Sequence, residues 1–313
     1  MNQKIMLALL LIALSLSGCT GRESTAKGNS LGEDNSGGTD APLEVTTGAN
    51  AVPLENETEV LAEGDLTLNI INVGWGDSIL VELPSGQLML VDVGPKEAAD
   101  AVWKVLSENN ATKLDYLVLT HPHADHIGAI DLLVNKGLKF DYLLESDRLC
   151  EGEDCMIVDN AIKKVTHERI DFNPGDKLKT NIPITILSPS EETYSIEDDS
   201  INNSSIVMMA QHKNIRILLT GNCARECEKA LTENFSNLET DILLGAHHGN
   251  KTANNTFFLE AVKPKIVVLS STGPSEEGLQ RLQASGAEIY RTDLHGNVKI
   301  ISDGDTYTVS TEK

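Results

Sequence analysis

The chain has 313 residues, a formal net charge of −22 and a hydrophobic content of 40%. That is enough apolar material for one large domain or two ordinary ones, which excludes disorder throughout. The acidic balance excludes a basic groove that wraps a long polyanion, since neutralising phosphates takes Lys and Arg, but it leaves open an enzyme that cuts one.

The amino terminus has the pattern of a secretion signal over residues 1–19: Lys4 as the charged region, an apolar stretch from Ile5 to Leu16, then Leu16-Ser-Gly-Cys19. The apolar stretch is too short to span a membrane comfortably. A small-residue site ending in cysteine resembles the lipobox of prokaryotic lipoproteins, which implies lipidation at Cys19 and a membrane partner reached through that anchor. The alternative is an ordinary signal peptide with a chance cysteine. Either way an exported chain is expected, and with the anchor a cell-surface lipoprotein. Residues 20–64 are rich in Gly, Ser, Thr, Asn and acids with no sustained apolar period, the composition of a disordered acidic linker. As a flexible coil it would hold a domain roughly 40 Å from its anchor. The folded domain is expected over 65–313, and it too is acidic.

Within that domain, short β-rich runs alternate with amphipathic helical segments. Strands are expected at Leu66–Ile71, Ser78–Leu83 and Gln87–Val91, a helix at Glu97–Asn109, a buried strand at Leu114–Leu119, and a helix at Ile127–Asn135 closed by Gly137. Further strands follow near Tyr142–Glu145, Ile182–Leu187, Ser205–Gln211 and Ile215–Leu219. Then come helix Arg225–Glu233, strand Asp241–Gly245, helix Thr256–Val262, strand Lys265–Leu269 and helix Glu276–Ser285. Strands Glu288–Tyr290, Gly296–Ile301 and Thr306–Ser310 complete the chain. Two groups of strands, each followed by helices, predict an α/β fold of two sheets packed face to face with helices outside.

Four cysteines follow Cys19: Cys150, Cys155, Cys223 and Cys227. In an exported chain three pairings are open, and two local bridges are expected; the rival reading is a four-cysteine zinc site.

The run Thr120-His-Pro-His-Ala-Asp-His-Ile-Gly128 follows the buried strand directly. Alternation puts His121 and His123 on one side of an extended segment, and Asp125 and His126 come round on the next turn, so two neighbouring ligand sets face one cavity. Imidazole and carboxylate donors suit zinc, iron or manganese, and an open position lets a bound water ionise near neutral pH. Phosphate loops of the Walker type and a Gly-x-Ser-x-Gly elbow are absent, which leaves that water as the nucleophile. Nor do two tryptophans and five phenylalanines supply a basic-aromatic stacking surface for single strands.

These residues resemble the metallo-β-lactamase superfamily. More narrowly, Asn72-Val-Gly-Trp-Gly-Asp-Ser78, Leu90-Val-Asp-Val-Gly94, the histidine run, Asn202-Asn-Ser-Ser-Ile-Val207, Leu219-Thr-Gly-Asn222 and Ala246-His-His-Gly-Asn-Lys251 resemble the hydrolase domain of ComEC-type competence proteins, which act in DNA internalisation. The resemblance implies a four-layer αβ/βα metallo-β-lactamase-like sandwich with one or two divalent ions, zinc or manganese, at one edge. The ligand set it implies is His121, His123, Asp125, His126, Asn222 and one of His247 and His248, with His248 favoured. Asp125 and His248 are expected to serve catalysis as well as coordination. Asp92 would orient the metal loop and Asp77 would place a carboxylate near the centre. Asn203 and Ser204 stand where a middle histidine is usual, and Lys251 would face a substrate phosphate. His167, in a helical run, and His212, at a strand end, are expected to be structural. Asn222 departs from the family's usual aspartate at that position, and a neutral oxygen binds a hard cation more weakly, so a tight dinuclear centre does not follow.

Three functions stay open: an exported phosphodiesterase or nuclease with a phosphoester substrate, DNA among the candidates; a hydrolase of a smaller bond such as a phosphocholine ester or a lactone; and a non-catalytic surface module. No protein partner is inferable.

Overall fold

In strand β1 (Leu66–Ile70) apolar residues fall at every second position, and Leu66, Leu68 and Ile70 all enter the same interior. Alternation of this kind builds a sheet with two distinct faces. The computed structural model describes residues 63–146, 153–190, 193 and 200–313. In it β1 joins β2 (Ile79–Glu82), β3 (Leu88–Val91), β4 (Lys113–Leu119), β5 (Lys139–Glu145), β6 (Glu168–Arg169), β13 (Val298–Ser302) and β14 (Tyr307–Thr311) in an eight-stranded sheet of order β14-β13-β1-β2-β3-β4-β5-β6. The second sheet has six strands: β7 (Ile184–Ser188), β8 (Val207–His212), β9 (Ile215–Leu219), β10 (Ile242–Leu244), β11 (Ile266–Leu269) and β12 (Glu288–Arg291), ordered β12-β11-β10-β9-β8-β7.

Both sheets bury both faces, so their central strands read as near-continuous apolar runs. Met89 and Val91 of the first sheet meet Met208, Ile217, Leu244 and Val268 of the second in one core. The opposite residues point away from that core. Leu90 and Leu117 pack beneath α1 (Ala99–Glu108), α3 (Ile130–Lys136) and α4 (Glu153–Ile162). Leu218, Leu243 and Val267 pack beneath α6 (Arg225–Asn234), α7 (Thr256–Val262) and α8 (Glu276–Ala284). The result is the expected four-layer αβ/βα sandwich.

Strands β3 to β6 run parallel, as do β9 to β12. Parallel strands deliver their carboxyl ends to one edge, where loops rather than ladders carry the chain and sites collect. Asp92, Thr120, Thr220, Gly245 and Ser270 each follow the last residue of such a strand.

Several boundaries differ from the sequence reading. The helix expected at Ile127–Asn135 is two helices, α2 (Ala124–Ile127) and α3, with α2 starting early enough to hold Asp125 and His126. Gly128 lies at the break, where a Cβ would sit 2.3 Å from the Ala124 carbonyl oxygen. Gly137 does close α3, at φ +112°. His167 is not helical: α4 ends at Ile162, and His167 stands just before β6 with its ring on Phe140 and its Nδ1 2.8 Å from the Val165 carbonyl oxygen. His212 ends β8 as expected and is buried, 3.3 Å from the Ser302 hydroxyl. Helix α4 and the short turns α5 (Ser200–Asn203) and α9 (Thr292–His295) had no counterpart in the sequence reading.

Every described residue falls within one unit, Gly48–Lys313. The signal segment, Cys19 and the linker as far as residue 62 lie outside the described residues. Among the described residues no helix is long and apolar enough to cross a membrane. Cys223 and Cys227 are joined by a disulfide, which removes the four-cysteine zinc reading. Cys155 is also disulfide-bonded, while Cys150 lies outside the described residues.

Candidate metal centre

The histidine run leaves β4 in the extended state and turns into α2 after His123. This places the His121 Nε2 3.1 Å from the His123 Nδ1, so two nitrogen atoms converge on one point. On the neighbouring side the His126 Nε2 lies 3.2 Å from the His248 Nε2, and the Asp125 carboxylate stands 3.6 Å and 3.5 Å from those two nitrogens. The His121 and His126 rings are 4.1 Å apart between centroids, so the two half-sites adjoin.

Which ring nitrogens carry protons follows from their outer partners. The Asp92 carboxylate accepts from the Thr120 backbone N–H at 2.8 Å, the Thr120 hydroxyl at 2.7 Å and the His126 Nδ1 at 2.7 Å. Because Thr120 donates its only hydroxyl proton to Asp92, its oxygen can only accept from the His121 Nδ1, 3.0 Å away. The His248 Nδ1 donates to the Ser270 carbonyl oxygen at 2.8 Å. In all three imidazoles the outer partner therefore takes the Nδ1 proton and the Nε2 points inward, the atom a metal takes once it has given up any proton of its own. Asp92 reaches this position in a left-handed conformation, φ +57°.

The loop bearing the late pair is held more tightly still. His247 and His248 have φ of +50° and +55°, a conformation that costs about 1–3 kcal/mol per residue and persists only where its surroundings impose it. The His247 N–H donates to the Gly221 carbonyl oxygen at 3.0 Å, and the Asn254 amide bonds both the N–H (3.0 Å) and the carbonyl oxygen (2.7 Å) of Ala246. Asn254 and Asn255 in turn donate backbone N–H groups to the buried Glu228 carboxylate. Burial pushes Glu228 up to about 7 in spite of those bonds.

Asn222 follows β9 and is buried, and its amide nitrogen donates to the Asn202 side-chain oxygen at 3.1 Å. Its own side-chain oxygen is buried without a hydrogen-bond partner. An orphaned oxygen of this kind calls for an explanation such as an ion or a water, and with the inward imidazole nitrogens it makes the donor set fit a divalent metal.

Electrostatics separate the histidines. Burial, then the neighbouring imidazoles His126 and His123, hold His121 well below its ordinary value, so it is neutral. Burial also opposes charge on His126, but the charge and hydrogen bond of Asp92 outweigh it and raise His126 to about 9. Burial likewise pushes the Asp125 carboxyl up, yet the hydrogen bond with His248 and the charge of His126 leave it below the usual carboxylate range.

The His126 shift has a testable consequence. Metal entry must displace a proton from this ring, so calorimetry in buffers of different ionisation enthalpy should show about one proton released per ion bound at pH 7, falling toward zero above about pH 9. Absence of any buffer dependence would contradict it. For the metal-free fold the sign is opposite: a raised pKa stabilises fully below about pH 6.5, by about 3 kcal/mol, and that contribution is lost as pH climbs through about 9.

The other expected site residues fall as follows. Asp77 lies 3.6 Å from the His248 Nδ1 and 3.9 Å from the His126 Nδ1, and the three residues offer ligand atoms within 4.8 Å of one another. Both Nδ1 atoms already donate elsewhere, so Asp77 faces the outer edge of the rings and Asp125 the inner one. His247 is half-buried, with its Nδ1 3.1 Å from the Thr252 hydroxyl. Asn203 accepts from the Cys227 N–H at 3.1 Å and Ser204 donates to the Ile201 carbonyl oxygen at 2.8 Å. Their neighbours reach Asn222 and His121: Asn202 accepts from the Asn222 side-chain amide, and Ser205 stands 3.4 Å from the His121 Nδ1 and 3.1 Å from the Asn222 backbone nitrogen. Lys251 is exposed, and its carbonyl oxygen accepts from Arg281. Among the described residues, the cation lining the cavity beside His123 and Asp125 is Lys96.

A family model described as the metallo-beta-lactamase superfamily matches residues 72–139. The chain is similar to ComE operon protein 3 of Bacillus subtilis (strain 168), 26% identical over 263 residues that cover 76% of this chain and 33% of that protein. It is similar also to competence protein ComA of Neisseria gonorrhoeae, 28% identical over 249 residues, with coverage of 76% and 32%. The chain thus spans about a third of the length of the curated relatives it matches. Among solved structures, the metallo-beta-lactamase fold protein YhfI from Bacillus subtilis matches with a TM-score of 0.52 at 14% identity, covering 77% of this chain and 100% of that one, a likeness of fold.

Proposed function

Because the chain carries a metallo-β-lactamase superfamily domain of the ComEC type, we propose that it is an exported metal-dependent phosphodiesterase or nuclease, tethered to the membrane through a lipid on Cys19. One observation carries the catalytic part: His121, His126 and His248 each have an outer hydrogen bond that frees an inward Nε2, with Asp125 beside them. A divalent ion held there, zinc or manganese, would supply a water ionised near neutral pH and would offset charge on the phosphoryl oxygens.

The chain's own residues do the rest. His121 and His123 form one half-site; His126, His248 and Asp125 form the other, with the Asn222 oxygen as a neutral donor. With its low pKa, Asp125 is a poor general base and acts as a ligand and as an acceptor that orients the nucleophile. Lys96 stands where it can meet a substrate phosphate.

The test is a substrate panel on protein loaded with zinc or manganese: bis(p-nitrophenyl) phosphate, single-stranded DNA, a phosphocholine ester and a lactone. Turnover of the phosphodiesters is expected. Turnover of the lactone alone would replace this reading with that of a small-ester hydrolase, which the acidic domain also suits, since it repels a long polyanion at low salt. For the anchor, incorporation of labelled palmitate is expected in the wild type and not in Cys19→Ser.

Asn222 favours a second reading, a surface module that keeps its metal for structure. Asn222→Asp is expected to tighten metal binding by at least about tenfold, because it adds a charge to a buried donor. Hydrolysis present only in Asn222→Asp would favour the module; hydrolysis already present in the wild type would eliminate it.

A further inference from the structure

Trp75 is 39% exposed, an unusual position for an indole, and its ring centroid lies 4.9 Å from that of His248. Glycines flank it on both sides, Gly74 at φ +82° and Gly76 at φ +123°. A Cβ at Gly76 would sit 2.0 Å from the Asp125 carbonyl oxygen, and the Gly76 carbonyl oxygen accepts from the Ser270 hydroxyl at 2.6 Å. The loop is therefore locked against α2 and against the strand end that orients His248. The indole stands at the centre's edge by construction, with little freedom left to lose on binding.

Trp75 also lines a cavity of about 850 Å³ together with His123 and Asp125. Its other walls include Pro122 and the 39%-exposed Ile157, both apolar. That volume lies within the range of small-ligand sites, and an aromatic and an aliphatic surface beside a polar centre suit a flat ring joined to a reacting group. Among the described residues of the lining the charges are unbalanced: Lys96 is accompanied by Glu97, Asp125 and Asp131. Lys96 offers a phosphate a cation, whereas a long run of phosphates meets the carboxylates.

We propose that Trp75 is the platform on which the planar ring of the substrate stacks, so that the centre selects nucleotides, free or at a strand end, over phosphoesters without a ring. This rests on the phosphoester reading for its chemistry but concerns binding, and it is tested apart from turnover. The chain has two tryptophans, so Trp103→Phe leaves Trp75 as the sole indole emitter.

In that background, with zinc loaded, AMP is expected to quench the emission saturably and ribose 5-phosphate is not. A single-stranded pentanucleotide is a further arm: whichever of it and AMP binds more tightly names the source of the ring. Trp75→Ala in the full chain, assayed by AMP competition with a fluorescent nucleotide, is expected to bind AMP roughly 5- to 150-fold more weakly, the range for removing one aromatic from beneath a base. Trp75→Phe should recover most of the affinity, and both variants should retain wild-type zinc content. Equal binding of AMP and ribose 5-phosphate, or undiminished AMP binding by zinc-loaded Trp75→Ala, would overturn the proposal while leaving phosphoester hydrolysis untouched. AMP stacking without hydrolysis of any phosphoester would instead sink the catalytic reading and leave this one standing.

Discussion

A His126→Ala variant is expected to lose its metal at ordinary concentrations and at least about 1,000-fold in hydrolysis rate, because an ionised water and the charge that offsets the phosphoryl oxygens go together. His126 is the ring on which the site closes: its Nε2 lies 3.2 Å from that of His248 and its Nδ1 2.7 Å from Asp92. Removing it also leaves the fully buried Asp92 carboxylate without its cationic partner, and breaking a buried pair costs about 3–5 kcal/mol. The loss of stability and the loss of metal are separable. Circular dichroism and urea unfolding measure the first, and metal analysis of the folded fraction measures the second. A folded variant with wild-type metal content and rate would show that His126 is not a ligand.

Asp92→Asn is the second large effect, and it acts without touching the metal. The carboxylate accepts three hydrogen bonds, and an amide of the same shape must point an N–H₂ at one of those donors. One oxygen, Oδ2, governs two imidazoles, His126 directly and His121 through the Thr120 hydroxyl, while Oδ1 takes the Thr120 backbone N–H. Outer partners of this kind are worth about 10- to 100-fold in metal affinity or activity when changed. The expected result is a fall in zinc affinity of that size together with a lower pKa for His126, visible by NMR titration in the metal-free protein. A variant with weaker metal binding but an unmoved His126 titration would show that Asp92 acts through the fold rather than through the tautomer.

Much of the fold is legible in the sequence because each strand carries its layer assignment in its own alternation: Met89 and Val91 face one core while Leu90 faces another. Helix α4 is illegible for the opposite reason. Met156 and Ile157 are exposed while Val158, Ala161 and Ile162 are buried, so apolar residues sit on more than one face and blur the period. In the site, the local run from His121 to His126 is visible because its spacing is its geometry. His248, 122 positions from His126, is reached only through the resemblance of Ala246-His-His-Gly to a family motif. What no spacing could supply is the outer shell. That Asn202 and Ser205 reach Asn222 depends on how α5 turns into β8, and the His248 tautomer depends on the carbonyl oxygen of Ser270, to which any residue type would contribute equally.

The central claim is that this edge of the sandwich holds a metal on which hydrolysis depends. The most direct measurement is metal content beside activity: protein purified without added metal is analysed by mass spectrometry, stripped with chelator, and returned to stoichiometric zinc or manganese while bis(p-nitrophenyl) phosphate turnover is followed. At least one ion per chain is expected, with turnover that disappears on stripping and returns in proportion to the ion bound. Protein that binds no divalent ion, or that turns over the ester equally well after stripping, would contradict it.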